Sequence, residues 1–119
     1  MRRARGIAAA MSLIYKITPR GDWERAEAAG RFEGAAVDLA DGFIHFSTAE
    51  QAAETAARHF AGEADLLLVA VETDRIGDLR WEPSRGGDLF PHLYGPLPMD
   101  AVVWARPMPL RDGRHDLPL

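Results

Sequence analysis

Two short stretches hold the residues best suited to chemistry. In Gly42-Phe43-Ile44-His45-Phe46-Ser47-Thr48, period-two alternation puts Phe43, His45 and Ser47 on one face of a strand and Ile44 and Phe46 on the other. An imidazole and a hydroxyl then project together at the carboxyl end of that strand, beside a helix start whose partial positive charge favours anions. Such a pair suits a phosphate or a ribose. The plainer account makes His45 a hydrogen-bonded core histidine and Ser47 a helix cap, and a cap alone would explain Ser47. The second stretch is Phe90-Pro91-His92-Leu93-Tyr94-Gly95-Pro96-Leu97. It interleaves apolar, imidazole and phenol side chains among rigid prolines, where a loop would normally expose polar residues. It reads either as part of a binding site or as a cover over the sheet edge.

Two further features depart from plain core patterning. Trp81-Glu82, with Arg85 and Asp88 nearby, offers a carboxylate and a guanidinium at a pocket rim, or ordinary surface ion pairs. Lys16 is the chain's one lysine among 14 basic residues and lies opposite in phase to Tyr15 on the first strand. It is either turned inward to a site or placed on a solvated face. Other templates are absent. The chain has no G-x-x-x-x-G-K-[ST], no G-x-G-x-x-G and no H-E-x-x-H, and no nucleophile elbow surrounds Ser47. Nothing in the spacing of His45 and His92 calls for a metal.

The elements that must position these groups follow from local pattern. Leu13–Ile17 is a β-branched and aromatic run closed by Pro19, a first strand. A helix follows, with Trp23, Ala26 and Gly30 at helical spacing and Gly30 as its stop. Residues 33–42 read as a loop with an Asp41-Gly42 turn. Phe43–Phe46 is a second strand. Ser47 and Glu50 then have the spacing of a capping box that opens a helix running to Gly62. The run Leu66–Val71 has strand length and no polar interruption, as expected of a central strand covered on both faces. Leu79–Glu82 alternates like a half-exposed strand, residues 83–98 read as a long ordered loop, and Ala101–Ala105 is the last strand. The order predicts one small α+β domain: a mainly antiparallel, split sheet with two helices. Its expected bounds are 11–106, after a disordered or misassigned leader at 1–10 and before a loose tail at 107–119.

Composition bounds the function. The 119 residues include no Cys, which removes disulfides, thiolate metal sites and thiol nucleophiles. The formal charge is −4. With Arg2, Arg3 and Arg5 set aside, residues 11–119 carry 11 bases against 18 acids, a net −7. An acidic domain has no general field for polyanions, so an extended nucleic-acid surface is not expected and any phosphate must be held locally. No segment reaches the length of a membrane span. The expectation is a cytoplasmic protein, a monomer or weak homodimer, with a small nucleotide-type ligand as partner.

Taken together, IYKI, DWERAEAAGRFEG, DLADGFIHFSTAEQ, LLLVAV, LRWE and FPHLYGPL resemble the small bacterial domain-of-unknown-function family 952 over about residues 13–105. That family is grouped with ADP-ribosyltransferase-like folds. The resemblance implies a split sheet around a cleft for NAD or ADP-ribose, and a likeness to the start of the RNA 2′-phosphotransferases, where a His followed by a small hydroxyl residue lines the ligand site. On that basis His45, Ser47, His92, Tyr94 and Lys16 are the expected ligand-binding residues. His45, His92 and Glu82 are the catalytic candidates. Two departures stand out. The first-strand His-Gly of many ADP-ribosyl transferases is Lys16-Ile17 here, and the paired arginines of the phosphotransferases have no clear counterparts. The catalytic pattern is therefore incomplete. The alternative is a non-catalytic protein-interaction domain with structural histidines, in which the apolar loop with Phe90 and Leu93 is the contact.

Overall fold

The uninterrupted apolar run at Leu66 becomes β4 (Leu66–Glu72), the middle strand of an antiparallel sheet in which β1 (Leu13–Pro19) and β8 (Val102–Pro107) flank it. The computed structural model describes residues 12–119; the leader expected at 1–10 lies outside them. Every residue of β4 is buried, because each face has its own cover. Leu67, Val69 and Val71 point to one core with Ile14, Trp23, Phe32, Ile44 and Leu93. Leu66, Leu68 and Ala70 point to another with Tyr15, Ile17, Ala56 and Met108. Alternation within one strand thus feeds two cores, which is why both parities must be apolar.

Helix α1 (Arg20–Ala29) covers the first core with Trp23 and Ala26. It stops as expected at Gly30, whose φ of 87° lets its amide bond back to the Ala26 carbonyl at 2.9 Å. Helix α3 (Ala49–His59) covers the second core. Its cap is one residue later than expected. Thr48, not Ser47, accepts from the Gln51 amide at 3.2 Å, and the Gln51 side chain accepts from the Thr48 amide at 3.0 Å. S-T-A-E-Q offers two overlapping boxes. The second wins because Ser47 is already committed to backbone pairing with Tyr15, at 2.8 Å in both directions.

Three further expectations are corrected. The supposed loop at 33–42 contains a third helix, α2 (Ala36–Asp41), ended by Gly42 at φ 87°. The long loop at 83–98 is mostly sheet. β5 (Leu79–Pro83) and β6 (Leu89–Leu93) form a hairpin, and β6 pairs on its other side with β3 (Ile44–His45). Pro91 masked this strand; its carbonyl still accepts from the Phe46 amide at 3.0 Å. β2 (Arg31–Phe32) pairs with β7 (Leu97–Pro98). The tail expected to be loose carries a hairpin of β9 (Leu110–Arg111) and β10 (Arg114–His115). Met108 anchors it, 1% exposed, with its amide bonded to the Leu66 carbonyl at 3.0 Å. The architecture is α+β with antiparallel sheets and three helices.

Candidate functional site

The second sheet, in the order β3-β6-β5, stands beside β1, where Tyr15 bridges to Ser47 just after β3. Its register pairs His45 with His92 and Arg80 with His92, so strand alternation gathers Phe43, His45, His92, Tyr94, Arg80 and Glu82 on one face. The opposite parity supplies Ile44 and Leu93 to the core. A cleft of about 440 Å³ opens between this face, β1, α2 and α3. Lys16, His45, Ser47, His59 and His92 line it, with Asp41, Thr55 and Ser84 as further polar groups. Tyr15, Ile17, Val37, Phe46, Phe60 and Phe90 supply its apolar wall. The size and the mixture of apolar wall with a few polar groups suit a small-molecule ligand.

Asp38, which the sequence pattern did not single out, does not line the cleft but holds Lys16 and His45, which do. It sits in the first turn of α2 and is 2% exposed. Its Oδ2 accepts the Ala35 amide at 2.8 Å, closing the start of the helix. Lys16 reaches across from β1 and places Nζ at 2.9 Å from each carboxylate oxygen. His45 donates to Oδ1 through its amide at 3.0 Å and its ring Nδ1 at 2.7 Å. Burial alone would push the Asp38 carboxyl up. The His45 ring bond and the Lys16 ammonium outweigh that and hold it at about 2. Burial is the largest influence on Lys16 and lowers its pKa, although Asp38 acts to raise it. Asp41, at the other end of α2, lies 2.9 Å from His45 Nε2. Both ring nitrogens of His45 therefore face carboxylates.

His92 has a carboxylate of its own. Its Nδ1 lies 2.8 Å from Glu82 Oε1, and the Tyr94 hydroxyl donates to the same oxygen at 2.8 Å. With Nδ1 used in this way, Nε2 is the nitrogen left for a ligand in the cleft. The His92 and Tyr94 bonds hold the Glu82 carboxyl below its ordinary value, and the same Glu82 contact raises the Tyr94 phenol. Arg80 lies over the Tyr94 ring at 4.1 Å and is paired to Asp78 at 2.8 Å. Phe43 joins the two histidines. Its ring centroid lies 4.6 Å from that of His45 and 4.1 Å from that of His92, which it stacks upon. The two imidazoles meet edge-on at 5.5 Å.

Of the expected binding residues, His45, Ser47, His92 and Lys16 come together at the cleft. Tyr94 and Glu82 stand behind His92 and do not line the cleft. Ser47, freed from capping, places its hydroxyl 2.9 Å from that of Thr55. Asp41, which lines the cleft, was missed, as were Asp38 and Phe43, which do not line it but contact Lys16 and the two histidines. The spacing Asp38-x-x-Asp41 before Gly42 was the available signal, since positions three apart share a helix face. Among the described residues, no group of three or more His, Asp or Glu is disposed to hold a metal ion.

Comparison with solved structures gives protein CC0527 from Caulobacter crescentus. Its crystal structure has a TM-score of 0.83 and 57% identity, covering 87% of this chain and 93% of that one. A solution NMR structure of CC0527 matches with a TM-score of 0.77 and 55% identity, over 87% of this chain and 90% of that one. No curated protein sequence matches. Residues 17–105, which include β3, β6 and all the groups that line the cleft except Tyr15 and Lys16 on β1, match the family described as Protein of unknown function (DUF952), and the chain belongs to that family.

Proposed function

We propose that the cleft binds a small ribose-phosphate-type ligand, with NAD and ADP-ribose as the leading members of that class. The observation that carries this reading is the convergence of His45, Ser47, His92 and Lys16 on one cleft of about 440 Å³. Imidazoles and hydroxyls suit a phosphate and a ribose, Asp41 can accept a ribose hydroxyl, and Tyr15, Phe46 and Phe90 offer an apolar wall to a base. The family resemblance implies an ADP-ribosyltransferase-like split sheet around a cleft, and a cleft beside two antiparallel sheets supports the reading. The reading is of binding and not of turnover, because fold analogy does not transfer an activity. Glu82, the nearest candidate for a catalytic Glu by chain position, has its Oε1 occupied by both His92 and Tyr94. A cytoplasmic location fits the cysteine-free, acidic composition. Among the described residues no helix is long and apolar enough to cross a membrane.

Thermal shift and calorimetric titration with NAD, ADP-ribose, ribose 5-phosphate and a 2′-phosphorylated oligonucleotide test the proposal. A ligand at about a hundred times its Kd adds about 2.7 kcal/mol of stability, which a melting curve resolves. His45→Ala should abolish the shift. No response to any of these ligands, or an equal response from His45→Ala, overturns the reading.

The second reading is a protein-interaction domain. It draws on Trp81 and Leu89, 46% and 51% exposed on the β5–β6 hairpin. Phe90 and Leu93, the contact residues expected from sequence, are buried, so the test moves to Trp81 and Leu89. A concentration-dependent dimer in sedimentation, lost in Trp81→Ser, would support it; a monomer at all concentrations would sink it.

A further inference from the structure

We propose that Lys16 is the amine of a carbonyl-binding site and forms an imine with the aldehyde of an open-chain sugar phosphate or a similar hydroxyaldehyde. The choice of sugar phosphate rests on the ribose-phosphate reading above; the chemistry of the amine does not. Thirteen of the 14 basic residues are arginines, and the exception lies 3% exposed on the wall of the cleft. An arginine would serve an ion pair with Asp38 at least as well, since its fork matches a carboxylate. What lysine adds is an amine that can lose its proton and act as a nucleophile, a property that burial promotes. Burial does lower the Lys16 pKa.

The surroundings fit the reaction. Nζ is 2.9 Å from both oxygens of Asp38, and Asp38 is 2.7 Å from the His45 ring. Lys16, Asp38 and His45 thus form a continuous path for protons. In the net step an ammonium and an aldehyde become an iminium and water. The new C=N bond replaces C=O, the carbonyl oxygen leaves as water, and two of the three ammonium protons leave with it. Nothing is oxidised or reduced. The nitrogen is positive at the start and at the end, so Asp38 keeps a cationic partner throughout. Asp38 acts as a positioning residue that stabilises the iminium and takes part in moving its protons. The Thr55 hydroxyl donates to the Gln51 carbonyl at 3.0 Å and the Ser47 hydroxyl to Thr55 at 2.9 Å, which leaves the Ser47 oxygen, also on the cleft, as an acceptor suited to a hydroxyl of the bound aldehyde.

The chain has one lysine, so the product is easily located. The folded protein is incubated with ribose 5-phosphate or with glycolaldehyde, reduced with borohydride, and mapped by peptide mass spectrometry. Lys16 should carry the secondary amine in the folded chain and lose it when labelling is done in urea, where an ordinary lysine at pH 7.5 is neutral in about one molecule in a thousand. Asp38→Asn should reduce the label at Lys16 while the label at the α-amine stays constant. If that variant does not fold, the folded-against-urea comparison decides alone. Label confined to the α-amine, or equal label at Lys16 in folded and unfolded chains, overturns the proposal. Labelling by glycolaldehyde but not by ribose 5-phosphate supports the amine's role and counts against the ribose-phosphate reading, so the two can fail separately.

Discussion

His45 meets Asp38 twice, because its backbone amide at 3.0 Å and its ring Nδ1 at 2.7 Å both donate to the same carboxylate oxygen. The position of the strand and the orientation of its imidazole are thereby fixed by one side chain of α2. Lys16 holds that side chain from the opposite sheet.

Removing the carboxylate should therefore be costly. Asp38→Ala leaves the Lys16 ammonium buried without a partner, a change expected to cost about 3–5 kcal/mol. Urea denaturation measures it. Lys16→Met combined with Asp38→Leu should recover part of that loss, since an apolar pair removes the uncompensated charge. A double variant no more stable than Asp38→Ala would show that the Ala35 and His45 bonds, and not the ion pair, carry the energy.

Acid should weaken the fold in a defined window. The Asp38 carboxyl sits at about 2 when folded, against an ordinary 3.8. Between these values the unfolded chain binds a proton that the folded chain does not, so stability falls as the pH drops. The contribution is about 2 kcal/mol, complete above about pH 4 and lost as pH falls through 2. Denaturation curves across this range should show the loss in the parent and a shallower one in Asp38→Asn.

Gly34 and Gly42 bracket α2 and should respond differently to alanine. Both have positive φ, 122° and 87°. At Gly42 an added Cβ meets nothing within 4 Å, so Gly42→Ala incurs only the left-handed backbone cost of about 1–2 kcal/mol. At Gly34 the Cβ would lie 2.8 Å from the Asp38 Cβ. Gly34→Ala should be the more destabilising and should move the His45 ring resonances in NMR spectra. Equal effects from the two would contradict the contact.

Tyr94 reports on Glu82. The hydrogen bond to Glu82 raises the phenol above its ordinary 10.0, with burial adding to it. Ultraviolet titration of tyrosinate should show this phenol moving back toward 10.0 in Glu82→Gln. With Tyr15→Phe as background only one tyrosine remains, and an unchanged curve would count against the bond.

The tail contributes to the core through Met108. Met108→Ala should cost about 2–5 kcal/mol, the range for truncating a buried large side chain. A value near zero in thermal unfolding would mean that β9 and β10 dock without it.

The regular elements were legible where a single period dominates. The all-apolar Leu66–Val71 announced a doubly covered strand, and Trp23, Ala26 and Gly30 marked a helix and its stop. The face shared by His45 and Ser47 followed from alternation alone. Legibility failed where one residue serves two ends. Asp38 is a helix-start acceptor and also the counter-charge of a lysine 22 positions earlier, and no local pattern encodes the second role. Ser47 matched a cap, but long-range pairing with Tyr15 had a prior claim on its backbone. Pro91 argued against a strand although only its missing N–H is at issue, and the carbonyl it retains is used. The tail failed similarly, because the docking of Met108 depends on a surface that the distant β1, β4 and α3 create.

Phe46 and Ser47 are consecutive, yet their amides answer to different sheets: Phe46 to Pro91 of β6, Ser47 to Tyr15 of β1. This dipeptide is a stitch between the two sheets, beside the core they share through Ile44, Leu93, Val69 and Val71. A ligand that grips the Ser47 hydroxyl pulls on the seam itself, so occupancy of the cleft should be felt as stiffness in both halves at once. Amide exchange at Tyr15, Phe46 and Ser47 would slow together, far more than at the outer strands.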